Sequence, residues 1–276
     1  MDKPKLELVD THAHICDPIF DPDREEVLEK ALSVGVSAVI SVGENIADAQ
    51  KNIDLAAKHS IIRPAAGLYP TILDPAKAEE MHAFILKARS GLYAIGEVGL
   101  DFWVIKEDSA KELQKEIFKS FINLAKELNL PLNVHSRSAG RHAVALLQEC
   151  SAAKVQMHAF DGKTSAALPA IEAGYFFSIP PSVVRSRQKQ KLVKNLPLAN
   201  LLVETDSPVL GPDPKERNVP ANVAISIKTI AELKNIDEAE VIEAVSENTR
   251  RLYGELNTPL AEREASDSPL EGSEDN

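Results

Sequence analysis

Leu6-Glu7-Leu8-Val9-Asp10-Thr11-His12-Ala13-His14 joins a short apolar run to a cluster of polar side chains able to bind metal. The apolar part reads as a strand. In extended chain, residues two apart face the same side, so His12 and His14 project together. The same arrangement of a strand followed by chemistry recurs along the chain. Strands are expected at Leu6–Val9, Ala38–Val42, Arg63–Gly67, Tyr93–Glu97, Leu132–His135, Val155–His158, Tyr175–Ile179 and Leu201–Thr205. Between them, apolar spacings of three and four predict helices, most clearly at Arg24–Ser33, Ala47–Lys58, Ser109–Asn129 and Arg141–Glu149. Two more follow the last strand, at Val223–Lys234 and Glu238–Tyr253, with Asp237 standing where an N-cap belongs. Asn129 ahead of Pro131 is a stop signal for the third helix.

This alternation, in 276 residues, predicts an α/β fold of the (β/α)8 TIM-like barrel type. A doubly wound open sheet is the rival. No GxGxxG or GxxxxGKS/T loop follows any strand, which weakens that rival. Residues 1–255 are expected to form one barrel and 256–276 a disordered acidic tail. From Ala261 onward, Glu262, Glu264, Asp267, Glu271, Glu274 and Asp275 face Arg263 alone, without an aromatic side chain.

The net charge of −11 argues against broad, non-specific binding of nucleic acid, which depends on Lys and Arg meeting phosphates. Charge is uneven, however. Arg185, Arg187, Lys189, Lys191 and Lys194 form an acid-free run, which reads either as a solvated helix face or as a track for a phosphate backbone. Cys16 and Cys150 are the only cysteines, and neither belongs to a CxxC pair. A disulfide framework or cysteine zinc site is not expected, and a cytoplasmic location is. No signal-peptide core and no apolar run of bilayer length is seen, so neither a membrane nor an obligatory protein partner is expected.

The informative residues stand where strands end. Glu97 closes the fourth strand, His135 the fifth and His158 the sixth, and Asp206 follows the eighth. Barrel enzymes keep their active sites at the C-terminal ends of their strands, so these side chains should converge with His12 and His14 on one rim. Imidazole and carboxylate suit zinc, manganese and similar divalent ions. Six such ligands exceed one tetrahedral site and suit two metals. Glu97 is assigned as the bridge, with His12, His14 and Asp206 on one ion and His135 and His158 on the other. Asp206 could also orient a water or take its proton. Taken singly, each residue has a blander reading as a core histidine or a helix-start anion; the conjunction of all six argues for the metal site. His59 and His82 read as surface residues and His142 as structural. By parity, Asp10 shares a face with His12, Asn133 with His135, Gln156 with His158 and Glu204 with Asp206, a candidate supporting layer beneath the ligands. The alternative is that parity slips near the strand ends.

Several motifs resemble the TatD-related deoxyribonucleases, a branch of the metal-dependent, amidohydrolase-like barrels. They are Asp10–His14, Gly96–Asp101, Asn133–Arg137, His158–Gly162 and Glu204–Pro208, and the resemblance runs from Val9 to about Leu252. Asn133–Arg141, Ala173–Leu198 and Glu204–Pro212 look most like the branch called TatD domain-containing protein 3. The resemblance implies a (β/α)8 barrel and a deoxyribonuclease that removes nucleotides from DNA ends using two divalent ions (Mg2+, Mn2+ or Zn2+). It also implies that His12, His14, Glu97, His135, His158 and Asp206 are the metal ligands, with Glu97 and Asp206 catalytic. One departure stands out. The family usually carries Gly-x-His-Pro after the third strand, where this chain has Gly67-Leu68-Tyr69-Pro70. Tyr69 can donate a hydrogen bond but cannot act as imidazole.

On the substrate side, Arg137 and then Arg141 are the phosphate-contact candidates, because guanidinium grips phosphate with two hydrogen bonds. Trp103 is either a ring on which bases stack or a packing residue between barrel and helix. Two other functions stay open. The same site could hydrolyse an ester or amide, as an aminoacyl-tRNA deacylase or a small-molecule amidohydrolase would. The barrel could also be a binding protein without catalysis. Glu97, and not a lysine, stands at the bridging position, which tilts the reading toward nuclease.

Overall fold

A computed structural model describes residues 8–256 of the chain. Eight strands form one parallel sheet in sequential order: β1 Leu8–Ala13, β2 Val36–Ser41, β3 Ile62–Ala66, β4 Ala94–Gly99, β5 Leu132–His135, β6 Val155–Met157, β7 Phe176–Ile179 and β8 Leu201–Val203. The sheet curls until β8 meets β1. There the Thr11 hydroxyl donates to the Val203 carbonyl at 2.9 Å, and the Asp206 N–H donates to the His12 carbonyl at 2.8 Å. The expected barrel is therefore the observed fold. Its helices are α1 Arg24–Ser33, α2 Ile46–Ala56, α3 Pro75–Ala88, α4 Asp108–Glu127, α5 Gly140–Glu149, α6 Thr164–Glu172, α7 Arg187–Asn195, α8 Val223–Lys234 and α9 Glu238–Tyr253.

Local chemistry explains several boundaries. The Asn45 side chain accepts from Asp48 N–H to start α2, and Asp74 caps α3 ahead of Pro75. After α4 the chain turns through Asn129 at φ 53°, a left-handed conformation that asparagine tolerates, and Pro131 follows. Asp237 occupies the N-cap of α9 as expected, although its side chain makes no capping hydrogen bond. β1 runs past the expected end at Val9 to Ala13, because it stays paired with β2 across a bulge. Leu6 and Glu7 lie outside the described residues, as does the acidic tail from 257 onward. Leu256, assigned to that tail, belongs with the barrel instead. It is buried, and its carbonyl accepts from Arg63 Nε at 2.6 Å.

Two apolar layers build the core. The larger lies between strands and helices and includes Phe118, Phe121 and Ile122 of α4 against Val98 and Val134. The smaller gathers Val9, Ile40, Phe176 and Leu202 with Leu252, Tyr253 and Leu256 from the end of α9, which plug the barrel interior. Alternation along the strands then places polar groups above this plug. Gln156 Oε1 accepts from the Tyr253 hydroxyl at 2.6 Å, Asn133 Nδ2 donates to the Thr11 carbonyl, and Gln156 Nε2 donates to Ser178 Oγ at 2.8 Å. These buried amides are satisfied, as burial of polar groups requires. One step further up, the same strands present His135, His158 and Glu204. A glycine sets how close two of these strands come. A Cβ on Gly99, whose φ is +145°, would lie 2.0 Å from the His135 carbonyl oxygen. Only glycine lets β4 press against β5 at this point.

Candidate metal centre

His12 and His14 leave β1 side by side, with their Nε2 atoms 3.3 Å apart. Asp206 Oδ1 lies 3.4 Å from His12 Nε2 and 3.5 Å from His14 Nε2. Glu97 Oε2 lies 3.9 Å and 3.5 Å from the same two nitrogens. A cation bound at about 2.1 Å by four tetrahedral ligands sets its donors about 3.4 Å apart. The separations of the two histidine nitrogens from each other and from the Glu97 and Asp206 oxygens, 3.3–3.9 Å, are near that spacing, so these donors fit a divalent ion. The second oxygen of Glu97 faces away from this group. Oε1 is 2.6 Å from His135 Nδ1 and 3.1 Å from His158 Nε2. Glu97, His135 and His158 form a second group of buried donors. All six predicted ligands thus meet, with Glu97 between the two groups.

Of the ring nitrogens turned away from the centre, that of His12 is hydrogen-bonded and that of His158 faces a carboxylate without a hydrogen bond. His12 Nδ1 and Asn133 Oδ1 are 2.8 Å apart, so the ring donates there and keeps its Nε2 lone pair for the centre. His158 Nδ1 lies 3.5 Å from Glu204 Oε2, and its ring stacks on His12 at 3.8 Å. Glu204 is itself fixed by Ala159 N–H at 2.8 Å and the Ser178 hydroxyl at 2.6 Å. The expected supporting layer therefore exists, but its partners cross strands. Asn133 serves His12 instead of His135, and Glu204 serves His158 instead of Asp206. Asp10 accepts from Thr205 N–H at 2.8 Å, and Gln156 braces the layer below. Parity within one strand could not show this, because the barrel brings the neighbour of a neighbour into reach.

The electrostatics follow from burial opposed by pairing. Burial would raise the Glu97 carboxyl, but His135 and His158 outweigh it and hold Glu97 well below the usual carboxylate range. Asp206 is likewise held low by hydrogen bonds from His12 and His14 against the pull of burial. Burial would keep His14 neutral. Its hydrogen bond to Asp206 and the charges of Glu97 and Glu44 prevail, and push it up to about 9. A metal at Nε2 must displace that proton. Apparent affinity for Mn2+ or Zn2+ should therefore climb with pH, up to about tenfold per unit for each proton displaced, and flatten above about 9. A histidine raised on folding stabilises the metal-free fold below its unfolded value of 6.5, and that contribution is lost as pH rises toward 9. The gap in Tm between loaded and metal-free protein should widen over the same range. Calorimetric titration and thermal melts across it check both; pH-independent affinity would contradict the role of His14.

The sequence missed Asp101, which is fully buried, with Oδ2 3.2 Å from His135 Nε2. Its signal was its place in the Gly96–Asp101 motif, but the chain has left β4 at Gly99, beyond the reach of strand parity. Glu44 was also missed, 4.0 Å from His14 Nδ1. Lys189, counted in a run read as solvated or phosphate-binding, points inward: it is buried, and Nζ donates to the Ala159 carbonyl at 3.1 Å. The Tyr69 ring stands edge-on to His135 at 5.2 Å, and burial, first among its causes, pushes its hydroxyl far above the usual range. Arg137 and Arg141 are exposed. Trp103 is 58% exposed, which excludes the packing alternative. His59 and His82 are not bare surface residues. His59 lies 3.4 Å from Glu25, and His82 meets Ser120 and the edge of Phe121 between α3 and α4.

The family model for TatD related DNase matches residues 9–254. The chain belongs to the TatD-related DNase family. Among its TatD relatives, Deoxyribonuclease TATDN3 of Homo sapiens is 45% identical, over 90% of this chain and 95% of that protein. The 3'-5' ssDNA/RNA exonuclease TatD of Citrobacter koseri is 29% identical, over 85% of this chain and 94% of its own length. The crystal structure of YJJV, a TatD homologue from Escherichia coli, superposes with a TM-score of 0.83 at 26% identity, covering 91% of this chain and 99% of that one. The TatD assignment accounts for the barrel and for the meeting of histidines and carboxylates at its mouth.

Proposed function

We propose that this chain is a two-metal deoxyribonuclease that removes nucleotides from DNA ends. The observation that carries the reading is Glu97, whose two oxygens face two separate groups of histidine donors. Two divalent ions held there would polarise the phosphate and make a water acidic enough to attack near neutral pH. The remaining work falls to the chain. Asp206, beside His12 and His14, orients the attacking water. Asp101 and Asn133 hold the His135 and His12 rings in place, and Glu204 sets a negative charge beside His158. Tyr69, its proton secured, serves as a hydrogen-bond donor to substrate oxygen. Arg137 and Arg141, exposed on the loop and helix after β5, are placed to take backbone phosphates. Metals and these arginines supply the local positive charge that the net −11 lacks.

Cys16 and Cys150 are free thiols, in keeping with the proposed cytoplasmic setting. Among the described residues, no helix is long and apolar enough to cross a membrane. End-labelled single-stranded and duplex DNA, incubated with Mg2+, Mn2+ or Zn2+, should release nucleotides, and EDTA should stop the release. Absence of release with every metal, alongside turnover of an aminoacyl ester or an amide, would overturn the assignment.

A further inference from the structure

Trp103 is the only tryptophan of the chain and, among the described residues, the most exposed large hydrophobic side chain. It belongs to the turn that leaves β4, and that turn is tied to the metal centre. Asp101 accepts from the Val104 N–H at 2.9 Å while its other oxygen meets His135 at 3.2 Å. Phe102 N–H donates to the Arg137 carbonyl at 2.9 Å, joining the turn to the segment after β5. Two cations lie over the indole. The Arg137 guanidinium is 5.2 Å and the Lys106 ammonium 5.3 Å from the ring centroid. Among the described residues, neither pairs with a carboxylate, and Lys106 donates only to the Phe102 carbonyl. The indole is thus an exposed aromatic surface beside two cations, on a turn braced to His135.

We infer that Trp103 and Arg137 form a platform for an unpaired nucleotide of the DNA strand, the indole stacking on its base and the guanidinium binding its phosphate. This rests on the DNA-cleaving reading above and deepens it by naming the two side chains that hold the strand. A surface cation over indole is held less strongly than a base stacked on it, so an incoming base displaces Lys106. Within a duplex the base faces are already stacked, so the platform takes single-stranded or frayed ends. It also leaves most sequence unread, because every base has a π face.

The single tryptophan makes the test direct, since intrinsic fluorescence reports on Trp103 alone. Metal-loaded protein is titrated with an eight-nucleotide phosphorothioate strand of thymidines, and with the same backbone lacking bases. Quenching by the first and little by the second is expected. Trp103→Ala should raise KM for single-stranded DNA by about tenfold or more, with kcat nearly unchanged, while Trp103→Phe recovers part of the loss. KM for blunt duplex, whose ends must fray to reach the platform, should start higher than that for the single strand. Equal quenching by both strands, or an unchanged KM in Trp103→Ala, overturns the platform even if DNA is cleaved. Base-dependent quenching without cleavage of any DNA would retain the platform and overturn the nuclease reading.

Discussion

Glu97→Gln is expected to lower DNA hydrolysis by about 10^3-fold, some 4 kcal/mol of barrier, while the barrel stays folded. The substitution is nearly isosteric, so the packing around the buried side chain is kept. What changes is that one carboxylate oxygen becomes an amide NH2. Glu97 offers Oε2 toward His12 and His14, and Oε1 toward His135 and His158. An amide can offer an acceptor to only one of these groups, and it turns donors toward the other. The charge that opposes four imidazoles, and would oppose the two proposed ions, is also gone, and leaving buried charge uncompensated costs about 3–5 kcal/mol. The variant should therefore hold fewer metal ions than the parent, read by elemental analysis after gel filtration. Its Tm without metal should change far less than its activity, because histidines 135 and 158 can lose their protons once the carboxylate is removed. Near-parental turnover in Glu97→Gln would refute the bridging role.

The pattern legible in the sequence was the part governed by short-range rules. Apolar runs of four or five residues separated by amphipathic stretches follow strand and helix geometry directly, so the barrel could be read from them. His12 and His14, two residues apart on one strand, needed only alternation. The six candidate ligands could be grouped because each stands at or near a strand end, and a closed parallel barrel delivers all strand ends to one rim. Contacts between strands that are not sequence neighbours were not legible. Asn133 reaches His12 across the interior, and Glu204 reaches His158, because the curvature of the barrel decides which rings approach. Asp101 escaped because Gly99 turns the chain out of the strand before reaching it. Lys189 escaped because a charge run has a period, and one member of α7 faces inward whatever the average hydropathy says. Trp103 was undecided because aromatic residues after a strand are equally suited to packing or binding, and only exposure separates the two.

Asp206→Asn should reduce kcat by about 10^2–10^3-fold while leaving the fold and much of the metal binding in place. Asp206 sits at φ 55°, a left-handed conformation open to Asp and Asn but strained for most side chains. Asn therefore preserves the backbone, including the N–H that donates to the His12 carbonyl at 2.8 Å and helps close the barrel. Its amide oxygen can still approach His12 and His14 from where Oδ1 stands now, 3.4 and 3.5 Å away. What it lacks is the negative charge to orient a water for attack and share its proton. The amide oxygen can still accept a hydrogen bond from that water, which sets the loss below the upper end of general-base effects. Asp206→Ala should do more harm, since alanine removes the ligand oxygen and fits the left-handed backbone less well, so metal content and Tm should fall together with kcat. The separation is therefore read from the pair of variants. Turnover loss in Asn with metal retained assigns Asp206 to the water, whereas equal loss of metal and turnover in both would reduce it to a ligand alone.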